Sequence, residues 1–161
     1  MSFGTGHHAT TCLVSGYLME LDLQGRRGLD MGSGTGVLAI VAVKCGAEAV
    51  DAVDIDTWAD ENCRENIATN AVEAQITPIL GDARVLAGRH YDFIAANINR
   101  NILVGDMAAY VHAMHPGADL VMSGFLEADI PIIRAAAEAE GLVFVSSRLR
   151  DGWAAVHCKK C

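Results

Sequence analysis

Alternation constrains this chain most. Short runs that are apolar on both faces recur between stretches of helical periodicity. Val14, Tyr17, Leu18 and Leu21 stand at i, i+3, i+4 and i+7, which predicts a helix over residues 9–22 that ends before Gly25. Strands are expected at 27–31, 50–55, 76–80, 91–96 and 120–122. Helices are expected at 37–45, closed by Gly46, and from Thr57, which can cap with Asp60 three residues on. A further helix carries Leu103, Met107, Val111 and Met114 on one side and ends at His115-Pro116-Gly117, and another covers 130–139. Two last strands, 142–149 and 153–158, flank the turn signal Asp151-Gly152. Strands apolar on both faces, alternating with helices, describe a parallel sheet covered on both sides. The expected fold is therefore α/β: a doubly wound, mostly parallel seven-stranded sheet with helices on both faces and an antiparallel edge hairpin.

Composition narrows the function. With 52% hydrophobic and 20% charged residues, the 161-residue chain is globular and large enough for one domain with a real core. Its net charge of −8 suits a basic partner or a cationic ligand and argues against direct binding of nucleic acid. The longest aliphatic run, residues 37–43, is too short to span a membrane, and the N-terminus does not read as a signal peptide. The five cysteines are odd in number and scattered, as for reduced thiols in a cytoplasmic protein. Cys158 and Cys161 form a terminal C-x-x-C without the helix N-terminus or extra ligands that redox or zinc chemistry needs, and read as a frayed tail after the last strand. His112 and His115, three apart, read as surface histidines, so no metal is expected.

In a doubly wound sheet, ligands bind beyond the carboxyl ends of the strands. The first such loop is Asp30-Met31-Gly32-Ser33-Gly34-Thr35-Gly36. A dinucleotide fingerprint would need glycine where Val37 stands. The leading carboxylate of Asp30 repels pyrophosphate but attracts an ammonium, which disfavours a nicotinamide-dependent dehydrogenase. Asp54 follows the second strand, at the distance of a ribose-binding acid, unless it or Asp56 only caps the next helix. Gly81-Asp82 could reach an exocyclic amine or simply cap a turn. Asn97 directly follows the fourth strand and should point into the crevice, while Asn99 or Asn101 caps the helix after it. Trp58 is placed to pack near an adenine or in the core.

This set resembles the class I S-adenosylmethionine-dependent methyltransferases. Within them it is most similar to the family acting on large-subunit ribosomal protein eleven. The strings that carry the resemblance are Phe3-Gly4-Thr5-Gly6-His7-His8-Ala9-Thr10-Thr11, Leu29 through Ile40, Val53-Asp54-Ile55-Asp56, Ala96-Asn97-Ile98 and Ser123-Gly124-Phe125. The resemblance implies S-adenosylmethionine as cofactor and S-adenosylhomocysteine as product. Asp82, from its place after the third strand, could reach the base, and the resemblance implies that Gly32 lies against the cofactor's amino-acid portion beside Asp30 and Gly34, that Asp54 binds the ribose and that Thr11 contacts the cofactor. His7 and His8 would close over it, and Asn97 would sit where cofactor and acceptor amine meet, as the catalytic residue. The implied acceptor is a lysine or N-terminal amine of a basic ribosomal protein.

Two departures stand out. The family's N-terminal recognition domain has no counterpart ahead of Phe3, so residues 1–161 read as a single catalytic domain. Gly28 stands where a β-branched residue is expected and should weaken its strand. A cofactor-binding module without activity, and a methyltransferase acting on another amine, remain alternative readings.

Overall fold

The computed structural model describes residues 6–161, with side chains described from residue 8. The expectations for the Phe3-Gly4-Thr5 string and for the His7 side chain therefore lie outside the described residues. The elements are α1 (Gly6–Glu20), β1 (Arg27–Met31), α2 (Val37–Lys44), β2 (Ala49–Asp54), α3 (Thr57–Thr69), β3 (Ile76–Leu80), β4 (Tyr91–Asn97), α4 (Arg100–His112), β5 (Met114–Leu126), α5 (Ile130–Ala139), β6 (Leu142–Arg150) and β7 (Trp153–Lys160). One sheet runs β3-β2-β1-β4-β5-β7-β6. β1 to β5 pair in parallel, and β7 is antiparallel to both its neighbours. The antiparallel strand thus lies one place in from the edge, and β6 forms the edge itself.

The two-residue alternation of the strands divides the core. Leu29, Ile94, Ala96, Leu120 and Met122 pack beneath Leu103, Met107 and Tyr110 of α4 and Ile133 of α5. Phe93, Ala95, Val50, Ala52 and Val121 face Val14 and Leu18 of α1, Leu38 and Ala42 of α2, and Cys63 and Ile67 of α3. Strand order reverses at β1, with β2 on one side and β4 on the other, so a crevice opens there between the loops.

Four local expectations are corrected. Asp56, not Thr57, caps α3: its carboxylate accepts the Trp58 N–H at 2.8 Å, and Thr57 is already helical. Met114 does not continue α4. That helix ends at His112, and Met114 opens β5, paired with Tyr91. Pro116 and Gly117 consequently lie within the long β5, and His115 is not on a helix. Gly28 does not weaken β1. The Phe93 ring lies across it, 2.0 Å from where a Cβ would stand, so the missing side chain is replaced by an aromatic from the neighbouring strand. Cys158 is fully buried inside β7, and burial pushes its thiol up to about 12. It is an inert core residue rather than part of a tail.

Candidate functional site

The glycine loop between β1 and α2 is held by its neighbours. The N–H groups of Gly32 and Ser33 both donate to the Val53 carbonyl, at 2.8 and 3.0 Å. Gly34 donates its N–H to Asp54 Oδ2 at 2.8 Å. Gly34 has φ +55°, and a Cβ there would meet no atom within 4 Å. The left-handed backbone, not crowding, calls for glycine, and the space above it is open to a ligand. Gly32 is the opposite case. A Cβ there would come within 2.7 Å of Ile98 Cγ1 and 3.6 Å of the Asn97 carbonyl, so the loop lies directly against the end of β4.

Asp54 closes this arrangement. Its Oδ2 takes Gly34 and its Oδ1 takes the Asp56 N–H at 2.9 Å. A carboxylate has about four acceptor positions, so both oxygens retain one for hydroxyl groups. Ile55, Trp58 and Leu80 flank it with exposed apolar surface at the same edge of the sheet. Trp58 is 67% exposed, which removes it from the core.

Asp30 and Asn97 project from β1 and β4 to the face covered by α1 and α2, because Asp30 is in register with Ala95 and Asn97 follows Ala95 by two. Asp30 is buried, and its Oδ2 accepts the Ala39 N–H at 3.1 Å in the first turn of α2. Burial pushes its carboxyl up to about 7, against that hydrogen bond, with the Asp54 charge adding to the rise. A carboxyl poised near neutrality in this way gains from a nearby ammonium.

Buried polar atoms normally find partners. Five buried side-chain atoms have none among the described residues, and three are Thr11 Oγ1, Asp30 Oδ1 and Asn97 Oδ1. These belong to three residues singled out in the sequence, from α1, β1 and β4. Orphaned acceptors at the strand ends of a crevice fit a ligand that brings donors: an ammonium, hydroxyls and an amine. The residues present therefore fit S-adenosylmethionine.

The remaining expectations fare differently. Asp82 caps its own turn, accepting the Arg84 N–H at 2.9 Å and the Arg84 guanidinium, whose hydrogen bond lowers its pKa. Asn99 caps α4 through the Ile102 N–H at 3.1 Å, leaving Asn97 free of that task. His8 is exposed on α1. Sequence reasoning missed the support of the loop from α3: Asn66 donates to the Thr35 carbonyl at 2.9 Å. No local pattern marks an asparagine in mid-helix as the partner of a loop 31 residues earlier.

Residues 1–161 match the profile of the family described as "Ribosomal protein L11 methyltransferase (PrmA)". A protein of that name from Phocaeicola vulgatus is 52% identical over 157 residues, covering 97% of this chain and 56% of the relative. Another from Deinococcus radiodurans is 39% identical over 156 residues, covering 92% of this chain and 56% of the relative. The chain thus spans about half the length of these relatives. The crystal structure of a ribosomal protein L11 methylase from Lactobacillus delbrueckii subsp. bulgaricus superposes with a TM-score of 0.89 at 25% identity, covering 97% of this chain and 81% of that one. A tRNA m1G37 methyltransferase from M. jannaschii shares the fold alone, with a TM-score of 0.79 at 20% identity, covering 91% of this chain and 48% of that one.

Proposed function

The chain belongs to the ribosomal protein L11 methyltransferase family, and on that premise we propose that residues 1–161 form one catalytic unit that moves a methyl group from S-adenosylmethionine to an amine of a basic ribosomal protein. The single observation that carries this reading is the set of orphaned acceptors on Thr11, Asp30 and Asn97 around an open glycine loop. The acceptor is a lysine side chain or an N-terminal α-amino group.

In this reading Asp30 balances the ammonium of the cofactor's amino-acid portion, and Gly32 and Gly34 let that portion approach the backbone. Asp54 receives the ribose hydroxyls, and Thr11 contacts the cofactor from α1. Ile55 and Trp58 supply apolar surface for the base. Asp82 would reach the base's exocyclic amine with a carboxylate that already serves its turn. The bound sulfonium supplies the reactive methyl group.

Asn97 is the residue that acts on the acceptor. Its Oδ1 accepts a hydrogen bond from the attacking amine and turns the nitrogen lone pair along the line of transfer, a proximity effect. The amine must be neutral to attack, and desolvation against the buried end of β4 favours its neutral form. No dedicated base is required within reach, since the amine gives its proton to solvent water as it enters the crevice. Charge supports the substrate class, because a chain of net charge −8 attracts a basic protein. The same charge disfavours nucleic acid. Among the described residues no helix is long and apolar enough to cross a membrane, and we place the reaction in the cytoplasm.

The test is mass spectrometry of a basic ribosomal protein incubated with this chain and S-adenosylmethionine. Methylation of the native protein, lost when its amines are first acetylated, is the expected result. Methylation that survives acetylation would overturn the amine assignment.

A further inference from the structure

A shallow, open cavity of about 380 Å³ lies beyond the ends of β4 and β5, starting two residues after Asn97. Asn99, Arg100, Gly124, Leu126, Asp129 and Trp153 are among the residues lining it. It is joined to the reaction centre through the backbone. Ile98 donates its N–H to the Ser123 carbonyl at 2.9 Å, and a Cβ on Gly124 would stand only 2.3 Å from the Ile98 carbonyl. The chain that leaves Asn97 therefore reaches the wall of this cavity at Asn99.

The charges in it are unequally held. Asp129 is a fixed anion. Its Oδ2 accepts the Leu126 N–H at 3.2 Å, and it stands at the start of α5, where the helix dipole favours negative charge. Its partner Arg100 is bound at 2.8 Å but is poorly placed, because it is the first residue of α4, where the dipole disfavours a cation. Both side chains are partly exposed, at 39% for Arg100 and 21% for Asp129, and ion pairs of that kind hold weakly. Arg100 can leave for solvent at little cost, whereas Asp129 cannot follow.

We propose that this cavity is a second substrate subsite, which holds the cationic side chain of a lysine or arginine neighbouring the methylated amine, with Asp129 receiving it in place of Arg100. This rests on the amine-methylation reading above and goes beyond it, because it makes the charge next to the acceptor a determinant of which amine is chosen. An amine flanked by neutral residues would leave Arg100 in place and gain nothing from the cavity.

The experiment uses two short peptides with one acceptor lysine each. One carries arginine on both sides, the other citrulline, which has nearly the same shape without the charge. Their binding to this chain in the presence of S-adenosylhomocysteine is measured by titration calorimetry, so that the subsite is read whether or not a methyl moves. The arginine peptide is expected to bind about twofold tighter, the surplus of the new ion pair over the ill-placed Arg100 pair that it displaces. Asp129→Asn keeps an acceptor for the Leu126 N–H and should abolish that preference. Arg100→Gln removes the competing cation and should enlarge it. Equal binding of the two peptides, no binding of either, or a preference that survives Asp129→Asn would overturn the subsite. A charge preference intact in a protein that methylates neither peptide would instead overturn the amine-methylation reading and leave the subsite standing.

Discussion

Replacing Asn97 with alanine should slow methyl transfer by about a hundredfold while changing the affinity for S-adenosylmethionine by less than about fivefold. The asymmetry follows from where the side chain ends. Its Oδ1 is buried and unpartnered among the described residues, at the junction of the glycine loop and the proposed acceptor side. The acceptor nitrogen loses its orienting partner, whereas the cofactor keeps Asp30, Asp54 and the loop. Stability should not fall with activity, because removing a buried polar atom that lacks a partner relieves a cost rather than creating one. Turnover, calorimetric affinity and melting temperature measured together check this. A parallel loss of affinity and turnover would reduce Asn97 to a binding residue, and a lower melting temperature would make its role structural.

Asp119→Ala should unfold the protein far more readily, by about 3 kcal/mol, or roughly 10 °C in melting temperature. Asp119 is almost wholly buried in β5 and gathers three partners: the cations Arg26 at 3.0 Å and Lys159 at 3.5 Å, and the His157 ring, whose Nε2 lies at 2.7 Å. Arg26 also donates to the Asp92 carbonyl at 2.6 Å, which ties β1 to β4, and the His157 ring packs on Tyr17 of α1 at 5.5 Å. Removing the carboxylate leaves buried donors without an acceptor, whereas the exposed Lys159 simply returns to water. Burial alone would raise the Asp119 pKa, but hydrogen bonds from His157 and Arg26, with the Lys159 charge, carry it below its ordinary value. A carboxyl depressed in the native state stabilises the fold above its unfolded pKa of about 3.9 and loses that contribution as pH falls through the native value. The gap between wild type and variant should therefore be full at neutral pH and close in acid below about pH 4. Thermal unfolding across pH checks both statements, and a gap independent of pH would remove the charge from the explanation.

This network shows why some of the molecule was hidden in the sequence. Asp119 meets its partners across 93, 38 and 40 residues, and no short pattern encodes those meetings. A lone aspartate among apolar residues also broke the strand signal, so β5 was expected only at 120–122. Met114 departs from its sequence pattern for a related reason. Its spacing after Val111 continues a helical stripe, but pairing of β5 with β4 is worth more than one further half-turn of α4. Asp56 and Thr57 are both good caps, and the choice between them depends on where β2 ends, which is set by its neighbours. Gly28 made sense only once Phe93 was seen to cover it. The residues at the strand ends were legible because their signal is local. A glycine loop between a strand and a helix, an acid one strand later and an asparagine ending the fourth strand need only chain order and the rule that ligands sit at the carboxyl ends. Which of their atoms lack partners was visible only in three dimensions.

In the proposed reading, the crevice at the ends of β1, β2 and β4 holds S-adenosylmethionine, with Asp54 joining ribose to glycine loop. This is tested most directly by calorimetric titration of S-adenosylmethionine, and separately of NADH, into this chain and its Asp54→Ala variant. The chain is expected to bind the first and not the second, and the variant to lose this binding while remaining folded. Binding of NADH, or S-adenosylmethionine binding that is unchanged in Asp54→Ala, would contradict that reading.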